Sequence, residues 1–318
     1  MPGSLQCLPA CHQSLPRRRR PSVRFEGMSA DRPFAGALQD APEPPGVSIV
    51  IPAYNEESVI RQCLIAAIYQ SVPAEEIIVV DNLSTDRTAR IVRQMQQEYP
   101  ESPIILLQQD AAQGLIPTRN HGLNNATGEV VGRIDADSVL EPDWVEQVQK
   151  AFMDPSIAAA TGPVVYYDMP MRRFGLKADD KMRQLMLRLA KHQYHFLFGS
   201  NMALRRSAWE TIRDEACLDP KDEMHEDIDL SLHLFEHDLK VQYLPQMVSG
   251  MSARRLEDSP RDYRYYVQRF DRTYKAHNVK KMALKAPMVV FFSVYFPAKL
   301  LRAIHTANSA QGARRGGV

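Results

Sequence analysis

The chain has 318 residues, with 39 Lys and Arg against 38 Asp and Glu, a formal net charge of +1. That balance gives no global field aimed at a polyanion, and nucleic acid is not expected as a partner. The 44% hydrophobic content is that of a globular protein with room for one large α/β domain. The 4 cysteines, Cys7, Cys11, Cys63 and Cys217, form no CxxC pair, which excludes a zinc knuckle and a disulfide framework and points to a reducing cytoplasm.

Residues 1–46 are rich in Pro, Arg, Gly and Ser and are expected to be a disordered leader. Arg17–Arg20 is not followed by an apolar run, so no secretory signal is read there. Val47–Pro52 then reads as a strand buried on both faces. Glu56–Gln70 places Val59, Ile60, Cys63, Leu64, Ala67 and Ile68 on one helical face. Ile77–Val80 is a second strand, and 86–99 a helix with Ser84 or Asp86 as its cap. Ile104–Leu107 is a third strand, Leu115–Asn124 a helix, and Val130–Ile134 a strand ending at Asp135-Ala136-Asp137. Strand alternating with helix predicts a parallel sheet wrapped by helices, whose ligands sit beyond the carboxyl ends of the strands.

The second half reads as a helix over 142–153, a strand within 157–167 and a helix over about 174–195. A short strand over 199–204 and a helix over 226–236 follow. Residues 253–285 mix Arg and Lys with Tyr and Phe, and no recognisable RNA-binding module surrounds them. Ala286–Ala298 is apolar but contains Pro287 and Pro297. It is too short to span a bilayer, and no other stretch reaches the roughly 20 apolar residues required. Two readings stand for it: a helix packed on the domain, or contact with a membrane interface over 286–304. His192, His195, His233 and His237 form no metal-ligand spacing with one another and read as core or surface histidines.

Three carboxylate groupings carry chemistry. Asp135 and Asp137, spaced by one residue at a strand end, suit Mg²⁺ or Mn²⁺, which want oxygen ligands and bridge to pyrophosphate. Equally they are turn aspartates. Asp81 after the second strand can accept from a uracil imide or a guanine edge, or simply cap the following helix. Glu226, Asp227 and Asp229 open an apolar helix, where the dipole favours them, and one of them is a candidate general base.

Six strings in one order bind these groupings together: SIVIPAYNEE from Ser48, IIVVDNLSTDRT from Ile77, RNHG from Arg119, DADS from Asp135, GSNMALRRSAW from Gly199 and EDIDLSLHL from Glu226. Over roughly residues 47–245 the set resembles the family 2 glycosyltransferases of the GT-A fold. The resemblance implies an α/β, Rossmann-like, mostly parallel sheet flanked by helices, spanning residues 47–252. A C-terminal helical extension over 253–306 and a disordered tail over 307–318 would follow. It implies an inverting transfer from a UDP- or GDP-linked sugar to a hydroxyl acceptor. Pro52, Tyr54, Glu56 and Asp81 would then receive the nucleoside and Arg119 the diphosphate. Asp135 and Asp137 would hold Mn²⁺ or Mg²⁺, with Asp137 the direct ligand. Gly199, Ser200 and Asn201 would face donor sugar and acceptor, and Asp227, with Glu226 beside it, would be the catalytic base.

Two departures stand out. Val248–Ser252 contains no histidine where relatives carry a metal ligand. Gln268-Arg269-Phe270-Asp271-Arg272 does not match the QxxRW of polymer-making members, so single addition is expected, by a cytoplasmic enzyme of the cell envelope, either free or peripheral on the inner face of the membrane, with the acceptor either lipid-linked or free. The other classes considered are a nucleotidyltransferase, disfavoured because Tyr54-Asn55-Glu56-Glu57 is not a Gly-rich loop, and a non-catalytic sugar-nucleotide-binding protein.

Overall fold

The computed structural model describes residues 42–170, 172–189, 196–217, 219, 221, 223–279 and 285–315. Contacts divide the chain between Ala41 and Pro42, and all described residues belong to the second unit. In chain order its elements are β1 (Val47–Ala53), α1 (Ile60–Ile68), β2 (Glu76–Asp81), α2 (Thr88–Glu98), β3 (Ile104–Gln108), α3 (Leu115–Asn125), β4 (Val130–Arg133), β5 (Val139–Leu140), α4 (Trp144–Phe152), β6 (Ile157–Thr161), β7 (Val164–Tyr166), α5 (Arg172–Leu189), β8 (Met202–Arg205), α6 (Arg206–Ile212), α7 (Glu226–Glu236), β9 (Lys240–Tyr243), β10 (Ser249–Met251), α8 (Pro260–Ala276) and α9 (Ala286–Arg315), with a 3₁₀ turn at Arg254–Glu257.

The main sheet has seven strands in the order β3-β2-β1-β4-β8-β6-β9. Only β8 runs against the rest, antiparallel to both β4 and β6. β1 lies near the centre and every one of its residues is buried, as its unbroken apolar run requires. Its side chains alternate between faces. Ile49 and Ile51 enter a core with Leu64, Val92 and Trp144 of α1, α2 and α4, whereas Val50 enters a second core with Leu123, Trp209 and Leu230 of α3, α6 and α7. Gly122 lets α3 lie directly on the sheet: a Cβ there would collide with Val50 Cγ1.

Local chemistry shifts several expected boundaries. The helix expected from Glu56 begins only at Ile60, because Asn55 takes φ +54° and Glu56 and Glu57 spend their amides on Thr88 Oγ1 and Asp86 Oδ2 at 2.8 and 3.0 Å. The strand expected within 157–167 is two strands in different sheets, broken at Gly162-Pro163, where proline cannot donate to a ladder. Val248–Ser252, taken as following the last strand, itself contains β10, which pairs with β5 and β7 in a small three-stranded sheet. Of the expected helix over 174–195, the described part ends at Leu189.

The expected leader falls on residues 1–41, outside the described ones, except for 42–46. The expected disordered tail is corrected, since α9 runs on to Arg315. So is the apolar segment judged too short. Lys299 donates to the Asp258 carbonyl at 2.6 Å, and Arg302 pairs with Asp168 at 2.6 Å and Glu257 at 2.8 Å. Both cations are thus drawn to one side, and the helix continues through them. Met288–Ala307 is long and apolar enough to cross a membrane by length and composition, and 6% of it is buried. α8 packs Phe270 and Tyr274 on Ile228 and Leu232 of α7, and Tyr263 stacks on Tyr295 of α9 at 4.1 Å.

Gly122→Val is expected to lower stability by about 1–3 kcal/mol through overpacking. Urea unfolding should show a lower midpoint at unchanged slope.

Candidate active site

The carboxyl ends of β1, β2 and β4 open into one cavity of about 1120 Å³. Its wall includes Pro52 at the end of β1, Tyr54 and Glu56 after it, Asn82 after β2, and Asp135 and Asp137 after β4. Because β8 runs the other way, the loop before it reaches the same rim and adds Gly199 and Ser200, and α7 adds Glu226 and Asp227. Residues up to 246 positions apart thereby face one space, from Pro52 to Ala298.

The loop after β1 is fixed by the loop after β2. Asn55 Oδ1 accepts from Thr85 N at 2.8 Å, and Asn55 N donates to Ser84 Oγ at 3.0 Å. This leaves Tyr54 48% exposed at the cavity edge. Asp81 is not part of the wall. It is buried at the end of β2, and its Oδ1 has no hydrogen-bond partner. An orphaned buried acceptor is costly unless a ligand donor meets it.

The acidic pair after β4 is crowded. Arg133 reaches Asp135 at 2.9 Å. Arg254 reaches Asp137 at 3.0 Å with Nε and Glu56 at 2.7 Å with Nη2. Burial, then the charge of Asp135, pushes the Asp137 carboxyl up to about 6 despite Arg254. Three carboxylates with oxygen-only donors and a surplus of negative charge fit a hard divalent cation. Where a histidine was missing from Val248–Ser252, the chain presents Arg254 just beyond β10.

Opposite these, Glu226 and Asp227 start α7 and titrate in opposite directions. Burial alone would raise Glu226, but Arg133 at 3.3 Å and Arg119 at 2.7 Å outweigh it and hold the carboxyl below its ordinary value. Burial and the Glu226 charge push Asp227 up to about 7, although it accepts from Gly199 N and Ile228 N at 2.9 Å each. Gly199 has to be glycine: a Cβ would strike Arg133 Nη1 and lie 2.8 Å from Glu226 Oε1.

Besides Asp81, two expected site residues sit elsewhere. Arg119 is fully buried rather than facing a diphosphate, its guanidinium spent on Glu226 and on Asn120 Oδ1 at 2.7 Å. Asn201 is fully buried behind the loop, accepting from Trp144 Nε1 and donating to the Pro163 and Met247 carbonyls. Two arginines were missed. Arg133, 1% exposed, lines the cavity, and its Nε has no hydrogen-bond partner. Arg254 lines it too and is half-exposed. Neither occurs in a motif string, and only their position relative to the acidic cluster identifies them.

The glycosyl transferase family 2 model matches residues 48–213. The putative glycosyltransferase EpsE of Bacillus subtilis is 26% identical over 267 residues, covering 82% of this chain and 93% of that protein. The glycosyltransferase GlyA of Streptococcus pneumoniae is 34% identical over 36% of this chain and 16% of its own length. AglE of Haloferax volcanii is 36% identical over 32% and 34%. The chain thus spans about a sixth of the first and about a third of the second. Among solved structures, the mannosyltransferase PcManGT from Pyrobaculum calidifontis, in complex with GDP-Man and Mn²⁺, superposes with a TM-score of 0.59 at 23% identity. It covers 88% of this chain and 78% of that one. Glucosyl-3-phosphoglycerate synthase of Mycobacterium tuberculosis gives 0.50 at 18% identity over 75% and 82%. Both have the fold described above.

Arg119→Ala is expected to cost about 3–5 kcal/mol, because it leaves Glu226 without one partner of a buried pair. Arg254→Ala, half-exposed, is expected to change stability by less than about 1 kcal/mol. Chemical denaturation of the two variants side by side checks the contrast.

Proposed function

The chain belongs to glycosyl transferase family 2 and is a transferase, and on that premise we propose an inverting, single-addition enzyme that moves a sugar from a UDP- or GDP-linked donor to a hydroxyl acceptor. The observation that carries this reading is the split of the Glu226/Asp227 pair. Neighbouring groups whose surroundings drive them apart have distinct roles. Glu226 is the fixed anion that organises the arginines. Asp227, at the cavity wall and raised toward neutrality, is the group that exchanges a proton.

Pro52, Tyr54 and Glu56 border the nucleoside, and Asp81, buried outside the cavity wall with one orphaned carboxylate oxygen, is the acceptor available to the base once the wall admits it. Asp135 and Asp137, with Glu56 beside them, are the residues that would hold Mn²⁺ or Mg²⁺. When bound, such a cation neutralises charge on the departing diphosphate. Arg133, with an unpaired buried N–H, is the better diphosphate partner than Arg119. In the transfer itself the acceptor oxygen bonds to the anomeric carbon as the bond from that carbon to the diphosphate oxygen breaks. The bonding pair leaves with the nucleoside diphosphate, and the hydroxyl proton passes to Asp227. One displacement from the opposite face inverts the configuration. Single addition is favoured because 268–272, within α8, departs from the motif of polymer-making relatives.

The C-terminal helix adds apolar groups to the cavity wall. Phe291, Val294 and Ala298 of α9 line it, and the same helix exposes Val289 at 64%, Phe296 at 65% and Leu300 at 63%. A wall that runs from the reacting centre onto an exposed apolar helix suits a lipid-linked acceptor met at a membrane surface.

Asp227→Asn should retain nucleotide binding and lose transfer by about 10²–10⁴-fold, while Asp137→Ala should lose cation-dependent nucleotide binding. Calorimetry with UDP and GDP plus Mn²⁺ or Mg²⁺ checks the second, and no binding of either nucleotide would overturn the reading. Because Asp227 must be ionised to accept a proton, kcat/KM should rise with pH and level off above an apparent value near 7. A rate independent of pH between 5 and 8 contradicts its role. For the lipid surface, the triple variant Val289→Ser, Phe296→Ser, Leu300→Ser should lose co-flotation with liposomes that the parent shows. Equal recovery refutes it.

A further inference from the structure

Away from the cleft, α7 and the end of α8 bring together three side chains that the transfer reaction does not use. Asp229 is fully buried, His233 is 9% exposed, and His277 follows the last turn of α8. Asp229 Oδ1 lies 2.8 Å from His277 Nε2 and 3.6 Å from His233 Nε2. The three ligand atoms all fall within 4.8 Å of one another. Asp229 Oδ2 is already engaged, accepting from Cys217 N at 3.0 Å, which aims Oδ1 at the two rings.

The other ring nitrogens face a second carboxylate. His233 Nδ1 is 3.1 Å from Glu236 Oε2, and His277 Nδ1 is 3.9 Å from Glu236 Oε1. Glu215 adds an oxygen 3.6 Å from His233 Nδ1 and itself holds His237 at 2.9 Å. Asp229 Oδ1 thus lies beside the Nε2 atoms of two rings whose centroids are 4.8 Å apart, with Glu236 on the outer nitrogens of both.

We propose that Asp229, His233 and His277 form a zinc site that fastens α8 to α7. The donor set is two imidazole nitrogens and one carboxylate oxygen, which zinc takes with a fourth position for water. At zinc bond lengths of about 2.0–2.2 Å, tetrahedral ligand atoms lie about 3.3 Å apart. The observed separations of 2.8 and 3.6 Å bracket that value. Glu236 on the outer nitrogens supplies the carboxylate–histidine–zinc arrangement that fixes the tautomer and orients the rings. Asp229, Glu236 and Glu215 place three negative charges around the rings, so a dication also relieves their mutual repulsion. His233 lies at i+4 from Asp229 on one helix face, but the third ligand is 44 positions further along the chain. No local spacing announces it, which is why His233 reads in sequence as a core or surface histidine.

The test uses the full chain without a histidine tag, stripped of metal and titrated with Co²⁺. Cobalt in a four-coordinate N₂O site gives intense visible bands. Cobalt held six-coordinate by the cleft carboxylates absorbs weakly, so the bands report this site alone. One equivalent per chain is expected to produce them and Zn²⁺ to abolish them. Zn²⁺ should also raise the unfolding temperature by mass action. His277→Ala should lose the bands. Glu236→Gln, at an exposed position that does not threaten folding, should weaken the titration about 10–100-fold. Absence of intense bands in the parent chain, or an unchanged titration in folded His277→Ala, overturns the site. Because the readout is spectroscopic, it succeeds or fails independently of the transferase reading.

Discussion

The buried carboxylate of Glu226 is the point on which the site hangs. It is gripped by Arg119 from α3 and Arg133 from β4, groups that arrive 107 and 93 positions before it. A desolvated anion with one partner would be prohibitively costly, and with two it becomes a rigid joint between the sheet and α7. That joint does three things. It sets the start of α7, and so the direction of Asp227. It turns Arg133 between Glu226 and Asp135, linking the two acidic ends of the cleft. And it places a fixed negative charge beside Asp227, one of the two causes that lift that carboxyl toward neutrality.

The same logic explains why the loop before β8 is glycine at its narrowest point. Gly199 lies against both Arg133 and Glu226 and still donates its N–H to Asp227. The cleft is therefore assembled around charge compensation rather than around a single motif. On one side three carboxylates meet two guanidiniums. On the other, one carboxylate takes both arginines and leaves its neighbour free to titrate.

Much of the sheet was legible. β1, β2 and β4 are apolar runs flanked by turn residues, and a strand buried on both faces leaves that imprint directly. The acidic residues at their ends were legible for the same reason, since the ends of parallel strands converge. What could not be read were partnerships across the fold. Arg119 looked like a diphosphate ligand because it stands in a motif, yet its guanidinium is consumed by Glu226. Asn201 looked like a sugar contact and is instead satisfied by Trp144 and two carbonyls. Arg254, following β10, stands in no motif string, and only the fold brings it to Asp137. The extent of α9 was misjudged because Pro297, Lys299 and Arg302 resemble an ending, whereas the two cations are bonded along one edge and proline is carried inside the helix.

The reversed strand β8 has a consequence of its own. Parallel strands offer a rim only where they finish, but a strand of opposite sense offers the place where it begins. Donor-side groups thus hang from finishing strands, while the Gly199-Ser200 segment hangs from a starting one, with Thr161 Oγ donating to the Asn201 carbonyl beneath it at 2.7 Å. The two halves of the rim are separately anchored, so sequence drift in the portion that meets the acceptor need not loosen the portion that holds the nucleotide. A scaffold of this kind can change what it decorates while keeping what it spends.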